Sequence, residues 1–183
     1  MAVPLKEPLA AEDISHWYEE VQRASAAEFA ARHPGLFFLL YQTGSGFSFD
    51  TGDIDSSFLQ LSEAVRAAKC DILVIPVEKS QRSPPHDNRI FIGRSSRCDI
   101  VIRHSTVSNL HAHISASKAG IYTITDAESG NGTYAGDRLL AVHTPQLLRP
   151  DDVVIFGTVP VRVLDAKGLH AMLLWFLDSS VGR

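Results

Sequence analysis

Three short stretches of this 183-residue chain set small polar side chains beside one arginine. They are Gly93–Arg94 after Phe91–Ile92, Ser108-Asn109-Leu110-His111 after Val107, and Ser129-Gly130-Asn131-Gly132-Thr133 after Asp126. Arg94 brings a planar guanidinium that stays charged and whose fork of N–H donors matches phosphate oxygens. Ser108 adds a hydroxyl that donates to another oxygen, and backbone N–H groups in the same turn add more. Gly93 allows the tight turn ahead of Arg94. Donors converging from separate loops are what a phosphate group needs, and they bind without bond-making chemistry. Taken singly, each residue is ordinary: Arg94 a surface arginine, Ser108 a turn or capping serine, Asn131–Gly132 a tight-turn pair.

Other chemistries find less support. His111 and His113 alternate along a strand and share a face, but no third ligand accompanies them to make a metal site. Gly44-Ser45-Gly46 lacks the Lys-Ser/Thr of a phosphate-binding loop, and there is no GxSxG, HExxH or kinase signature. Asp50, Asp53 and Asp55 are spaced loosely like a calcium loop without its glycine or closing glutamate, so they read as an acidic surface loop. No catalytic constellation emerges, so the chain is expected not to be an enzyme and to use no cofactor or metal. Cys70 and Cys98 lie outside any CxxC spacing, which leaves a reduced, cytoplasmic compartment as the expectation. A net charge of −4 and a pI near 6.0 argue against a nucleic-acid partner. The charge is uneven: residues up to 85 hold 7 Lys/Arg against 12 Asp/Glu, and the rest hold 10 against 9. Residues 1–11 do not read as a secretory signal. No apolar run approaches the ~20 residues of a membrane span, so no membrane partner is expected.

The elements that must carry these loops follow from periodicity. Ile14, Trp17, Tyr18 and Val21 mark an amphipathic helix. Ser25 with Glu28 has capping-box spacing for a second helix over 26–32, which Pro34–Gly35 ends. Leu36–Gln42 reads as a strand. Residues 43–55 read as loop with a strand at 46–50, and Phe58, Leu61, Ala64, Val65 and Ala68 return to helical spacing. From Asp71 the chain turns to short strands: 72–77, 89–92, 99–102, 111–115, 120–125, 138–140, 152–156 and 159–164, separated by turn signals. That spacing predicts an all-β sandwich. Leu169, Leu173, Phe176 and Leu177 predict a closing helix over 168–177.

With the motifs IGRSSRCDIVI, VSNLHAHI and SGNGTYAGDRL, followed by LLRPDDVVIFG, the sequence resembles the forkhead-associated (FHA) family over about residues 70–165. The resemblance implies a mainly β fold, an FHA-type β-sandwich of about eleven strands, with an N-terminal α/β extension and a C-terminal helix. The expected divisions are residues 1–68 for the extension, 69–165 for the sandwich and 166–183 for the helix packing on it. The resemblance further implies phosphothreonine binding. Arg94, Ser108, Asn109, Gly130 and Asn131 would contact the phosphopeptide, with Asn131 holding its backbone. Gly93, His111, Gly132 and Thr133 would support the site, His111 as a buried prop. A pocket for the threonine γ-methyl would favour phosphothreonine over phosphoserine. Arg97, Arg103, His104 and Thr106 are candidates for reading the residue three positions beyond the phosphothreonine. The implied partner is a protein phosphorylated on threonine, downstream of a Ser/Thr kinase in signal transduction. The alternative is an assembly module that uses the sandwich and N-terminal helices for phosphate-independent protein contacts. The sequence sets no oligomeric state.

Overall fold

The computed structural model describes residues 12–13, 15–42, 71–80 and 87–181. The strand expected at 46–50, the helix over 58–68, the acidic trio Asp50, Asp53 and Asp55, and Cys70 lie outside them. Among the described residues are twelve strands in two sheets, and three helices. The seven-stranded sheet contains β1 (Glu12–Asp13), β3 (Asp71–Pro76), β2 (Leu36–Gln42), β12 (Val159–Asp165), β11 (Val153–Phe156), β8 (Thr133–Ala135) and β9 (Arg138–Leu139), in that spatial order. The five-stranded sheet runs β10 (Gln146–Leu148), β7 (Tyr122–Asp126), β6 (Ala112–Ala116), β4 (Arg89–Gly93) and β5 (Ile100–Val101). All neighbours are antiparallel except β4 and β5. The mainly β sandwich with helices at both ends is therefore as expected. The two-residue β1 is an addition to the eleven strands from Leu36 onward.

Two hydrophobic cores flank the seven-stranded sheet. Between the sheets lie Phe38, Leu40, Ile92, Ile114, Ile124, Phe156 and Val163, all buried. On the sheet's other face, Phe37, Leu39, Ile72 and Val74 meet the helices α1 (Ser15–Arg23), α2 (Ala26–Arg32) and α3 (Ala166–Val181) through Trp17, Val21, Phe29, Leu169 and Leu173. Successive strand residues point to opposite faces, so a strand buried on both sides must be apolar throughout. That explains the unbroken Leu36–Leu40 run and places β2 between β3 and β12 in the sheet. A strand that the sequence reading put in the N-terminal extension is thus a central strand of the sandwich.

The helix layer is joined by specific polar contacts. Ser25 caps α2: its hydroxyl accepts the Glu28 N–H, while the Glu28 carboxylate accepts the Ser25 N–H at 2.8 Å. His33 sits 2.9 Å from the Glu20 carboxylate, linking α2 to α1. His170 on α3 donates to the Ala24 carbonyl at 2.9 Å. No helix among the described residues is long and apolar enough to cross a membrane.

Candidate functional site

The polar stretches singled out above meet at one edge of the sandwich. β4 ends at Gly93, and the next two N–H groups bond to the loop before β6: Arg94 N–H to the Ser108 carbonyl at 2.8 Å and Ser95 N–H to the Asn109 carbonyl at 3.1 Å. A β-carbon on Gly93 would lie 2.3 Å from the Asn109 oxygen, so only glycine allows this approach. Arg94 is exposed, and its Nε donates to the Val107 carbonyl at 3.2 Å. That bond fixes the base of the guanidinium and leaves both Nη groups for a ligand. Among the described residues no carboxylate forms an ion pair with Arg94.

Ser108 is poised similarly. Its Oγ accepts the Gly130 N–H at 3.0 Å, so the hydroxyl keeps its own proton to donate. Its backbone N–H donates to His111 Nδ1 at 3.0 Å, and His111 Nε2 lies 3.0 Å from the Gly132 carbonyl. An amide N–H only donates and a carbonyl only accepts. His111 is therefore neutral, with its proton on Nε2. Its burial pulls the pKa down, outweighing the Gly132 bond and the Asp126 charge that act the other way. The ring packs edge-on to Phe156 at 5.6 Å. His111 thus ties the Ser108 loop to the Gly132 loop from below. His113 stands apart from it, half-buried, with its ring 6.2 Å from Phe91. Among the described residues no three side chains are grouped to hold a metal.

The third loop hangs from Asp126 at the end of β7. This buried carboxylate accepts Ser129 N–H at 2.9 Å, Ser129 Oγ at 2.6 Å and Thr133 Oγ1 at 2.5 Å. Burial alone would raise its pKa, but these bonds hold it below the usual carboxylate value. Gly132 has φ +77°, a left-handed turn in which its carbonyl reaches both His111 and the Gly157 N–H. Asn131 is exposed, and its Nδ2 donates to the Thr106 carbonyl at 2.7 Å. Gly130 and Asn109 are exposed on the same edge. Of the other candidates, Arg97 and Arg103 are exposed, whereas His104 and Thr106 are half-buried and bonded to each other.

The structure thus brings Arg94, Ser108, Asn109, Gly130 and Asn131 to one edge, on supports that include Gly93, His111, Gly132 and Thr133. Sequence reasoning included Asp126, Ser129 and Gly157 in or beside its motifs but gave them no role, and it passed over Thr158. An acidic residue closing an apolar strand with serine three places on is the signal of a side-chain-capped turn, and it was legible for Asp126 and Ser129. Nothing local marks Thr158, whose partner Thr106 lies 52 residues away. Cys98 is buried with its thiol 3.2 Å from the Asn109 carbonyl, and burial pushes its pKa up, so it packs rather than reacts.

No curated protein matches the sequence. Among solved structures, similarity extends to an FHA domain from a study of phosphothreonine-dependent interactions (16% identity, 70% of this chain and 95% of that one, TM-score 0.44). It extends also to the MEK1 FHA domain in complex with a HOP1 phosphothreonine peptide (22%, 50% and 87%, TM-score 0.41). A third is the FHA domain of the CT664 protein from Chlamydia trachomatis (17%, 72% and 98%, TM-score 0.45). The family model described as FHA domain matches residues 90–157, the segment that runs from the core of β4 to the β11–β12 turn and holds every loop of the site. Over residues 90–157 this chain matches the FHA domain family.

Proposed function

We propose that this edge binds phosphothreonine in a partner protein, and that the chain is a non-enzymatic interaction module acting downstream of a Ser/Thr kinase. One observation carries the reading. Arg94 is anchored through Nε beside Ser108, whose acceptor side is filled by Gly130 N–H, so guanidinium and hydroxyl both turn unused donors towards one ligand. Phosphothreonine brings a charge of about −1.5 to −2 and three acceptor oxygens. Asn131, with Asn109 and Gly130 beside it, holds the peptide backbone. On this reading, contact of the threonine γ-methyl with the same edge favours threonine over serine. A handful of charge-assisted bonds at roughly 1.5–3 kcal/mol each sets micromolar affinity, about −8 kcal/mol.

Calorimetric titration of wild type and Arg94→Ala with a degenerate phosphothreonine peptide pool tests this, with phosphoserine and unphosphorylated pools alongside. The expected outcome is micromolar binding confined to phosphothreonine and weakened on the order of 100-fold by the substitution. Binding indifferent to phosphate, or retained in Arg94→Ala, would replace this reading with the phosphate-independent assembly module.

A further inference from the structure

We propose that Thr106 is a positioning residue for Asn131, holding it so that its side-chain oxygen faces the peptide; this rests on the phosphopeptide reading above. The Thr106 hydroxyl lies 2.8 Å from His104 Nδ1, 3.0 Å from Thr158 Oγ1 and 3.1 Å from Thr158 N. The direction of each bond follows from valence. Thr158 N–H only donates, so Thr106 Oγ1 accepts there. Thr106 N–H donates to His104 Nδ1 at 3.3 Å, so that nitrogen presents its lone pair. The Thr106 hydroxyl proton therefore goes to Nδ1, and the Thr158 hydroxyl donates to Thr106 Oγ1. Both lone pairs and the proton of Thr106 are then engaged within the fold.

The effect passes to Asn131 through the Thr106 carbonyl. A carbonyl only accepts, so it selects the Nδ2 end of Asn131, at 2.7 Å, and turns Oδ1 outward as an acceptor for a peptide N–H. Gly157 makes room for this arrangement. It has φ +65°, and a β-carbon there would lie 2.5 Å from the Thr106 carbonyl. Thr106 therefore pins three stretches: its own loop, the β11–β12 turn at Gly157–Thr158, and the Asn131 loop. A hydroxyl with every valence used inside the protein does not read the peptide, which leaves Arg97 and Arg103 as the exposed candidates for that task.

The test is a double-mutant cycle on the full chain. Wild type, Thr106→Val, Thr106→Ser, Asn131→Ala and Thr106→Val/Asn131→Ala are titrated with the same phosphothreonine peptides. In parallel, the Asn131 side-chain amide pair is followed in 15N spectra without ligand. Thr106→Val should weaken binding roughly five-fold in the wild-type background and leave Asn131→Ala unchanged. Thr106→Ser, which keeps the hydroxyl, should bind within about two-fold of wild type, and the Asn131 amide pair should shift in Thr106→Val alone. Equal losses in both backgrounds, or no rescue by serine, or an undisturbed amide pair would overturn the proposal. Failure of wild type to bind any phosphopeptide would instead remove the functional reading, and the amide signals would still decide the positioning role.

Discussion

At the scale of single residues the proposed binding edge depends on groups that stand behind its donors. Gly93 is the sharpest case, because a β-carbon there meets the Asn109 carbonyl oxygen at 2.3 Å and its carbon at 2.9 Å, both backbone. Neither the end of β4 nor the loop holding Ser108 can yield without moving the site. Gly93→Ala is therefore expected to cost about 2–3 kcal/mol in chemical denaturation. It should also weaken phosphothreonine binding more than that loss of stability alone explains. Wild-type affinity in a folded Gly93→Ala protein would show that the Ser108 loop has freedom the structure does not indicate. The residues offering donors were legible in the sequence, since an arginine, a serine and an asparagine in polar turns carry their chemistry with them. The scaffolding was less so. Thr106 is an unremarkable loop threonine until Thr158, 52 residues on, is folded against it. Long-range pairing of this kind leaves no local pattern.

At the scale of elements, helices and strands were read with different success for physical reasons. The helix signals are local: the stripe of Trp17 and Val21 and the Ser25–Glu28 box lie within one or two turns, and both are present. α3 starts directly at the end of β12 with no intervening loop and runs Ala166–Val181, inside the expected 166–183 and beyond the 168–177 that its apolar stripe marks. β8 and β10, at three residues each, are too short for alternation to show, and neither was foreseen. β2 was recognisable as a strand, yet its apolar run says only that both faces are covered. Which neighbours cover them is decided by β3 and β12. Phe38 gives the clearest test, being fully buried between the sheets at 5.9 Å from Phe156. Phe38→Ala is expected to destabilise the whole protein by about 3–5 kcal/mol in a single cooperative transition. A local change that left the five-stranded sheet's stability untouched would mean that residues before 69 form a unit of their own.

At the scale of the whole molecule, several buried or paired groups titrate in the same sense. Burial lowers the pKa of His111. Burial also lowers that of His113, aided by the Arg89 cation and by His143 and opposed by Asp87. Unfolded, each takes up a proton near pH 6.5; folded, each resists until the pH is lower. The unfolded state then binds more protons, so stability is full above about pH 6.5 and falls on acidification towards the folded values. Hydrogen bonds outweigh burial in holding Asp126 below its ordinary value. Glu20 is likewise held down by His33 and Arg32 against its own desolvation, and Asp87 is held down by its bonds to Arg89. Their contribution is present above the unfolded carboxylate range near pH 4 and is lost below it. Denaturation midpoints from pH 8 to pH 3 should therefore decline in two stages, the upper one shallower in His113→Gln. A midpoint that rose between pH 7 and pH 5 would contradict both assignments.

The central position of β2 also sets the order in which a growing chain can assemble. Leu39 pairs with Arg162, so about 120 residues must be added after β2 before its second neighbour exists. At 5–20 residues per second that is roughly ten seconds of translation. Until then the Leu36–Leu40 run has β3 along one edge and nothing along the other. The strands β4, β5, β6 and β7 need no such wait, since all four fall between Arg89 and Asp126. Ser108, His111 and Gly130 can therefore find one another early. The latch that closes the edge, Gly157 and Thr158 on Thr106, comes last, together with the strand that completes the sheet. A nascent chain thus completes this edge only as it covers the second side of the Leu36–Leu40 run, and a stall before β12 leaves both undone.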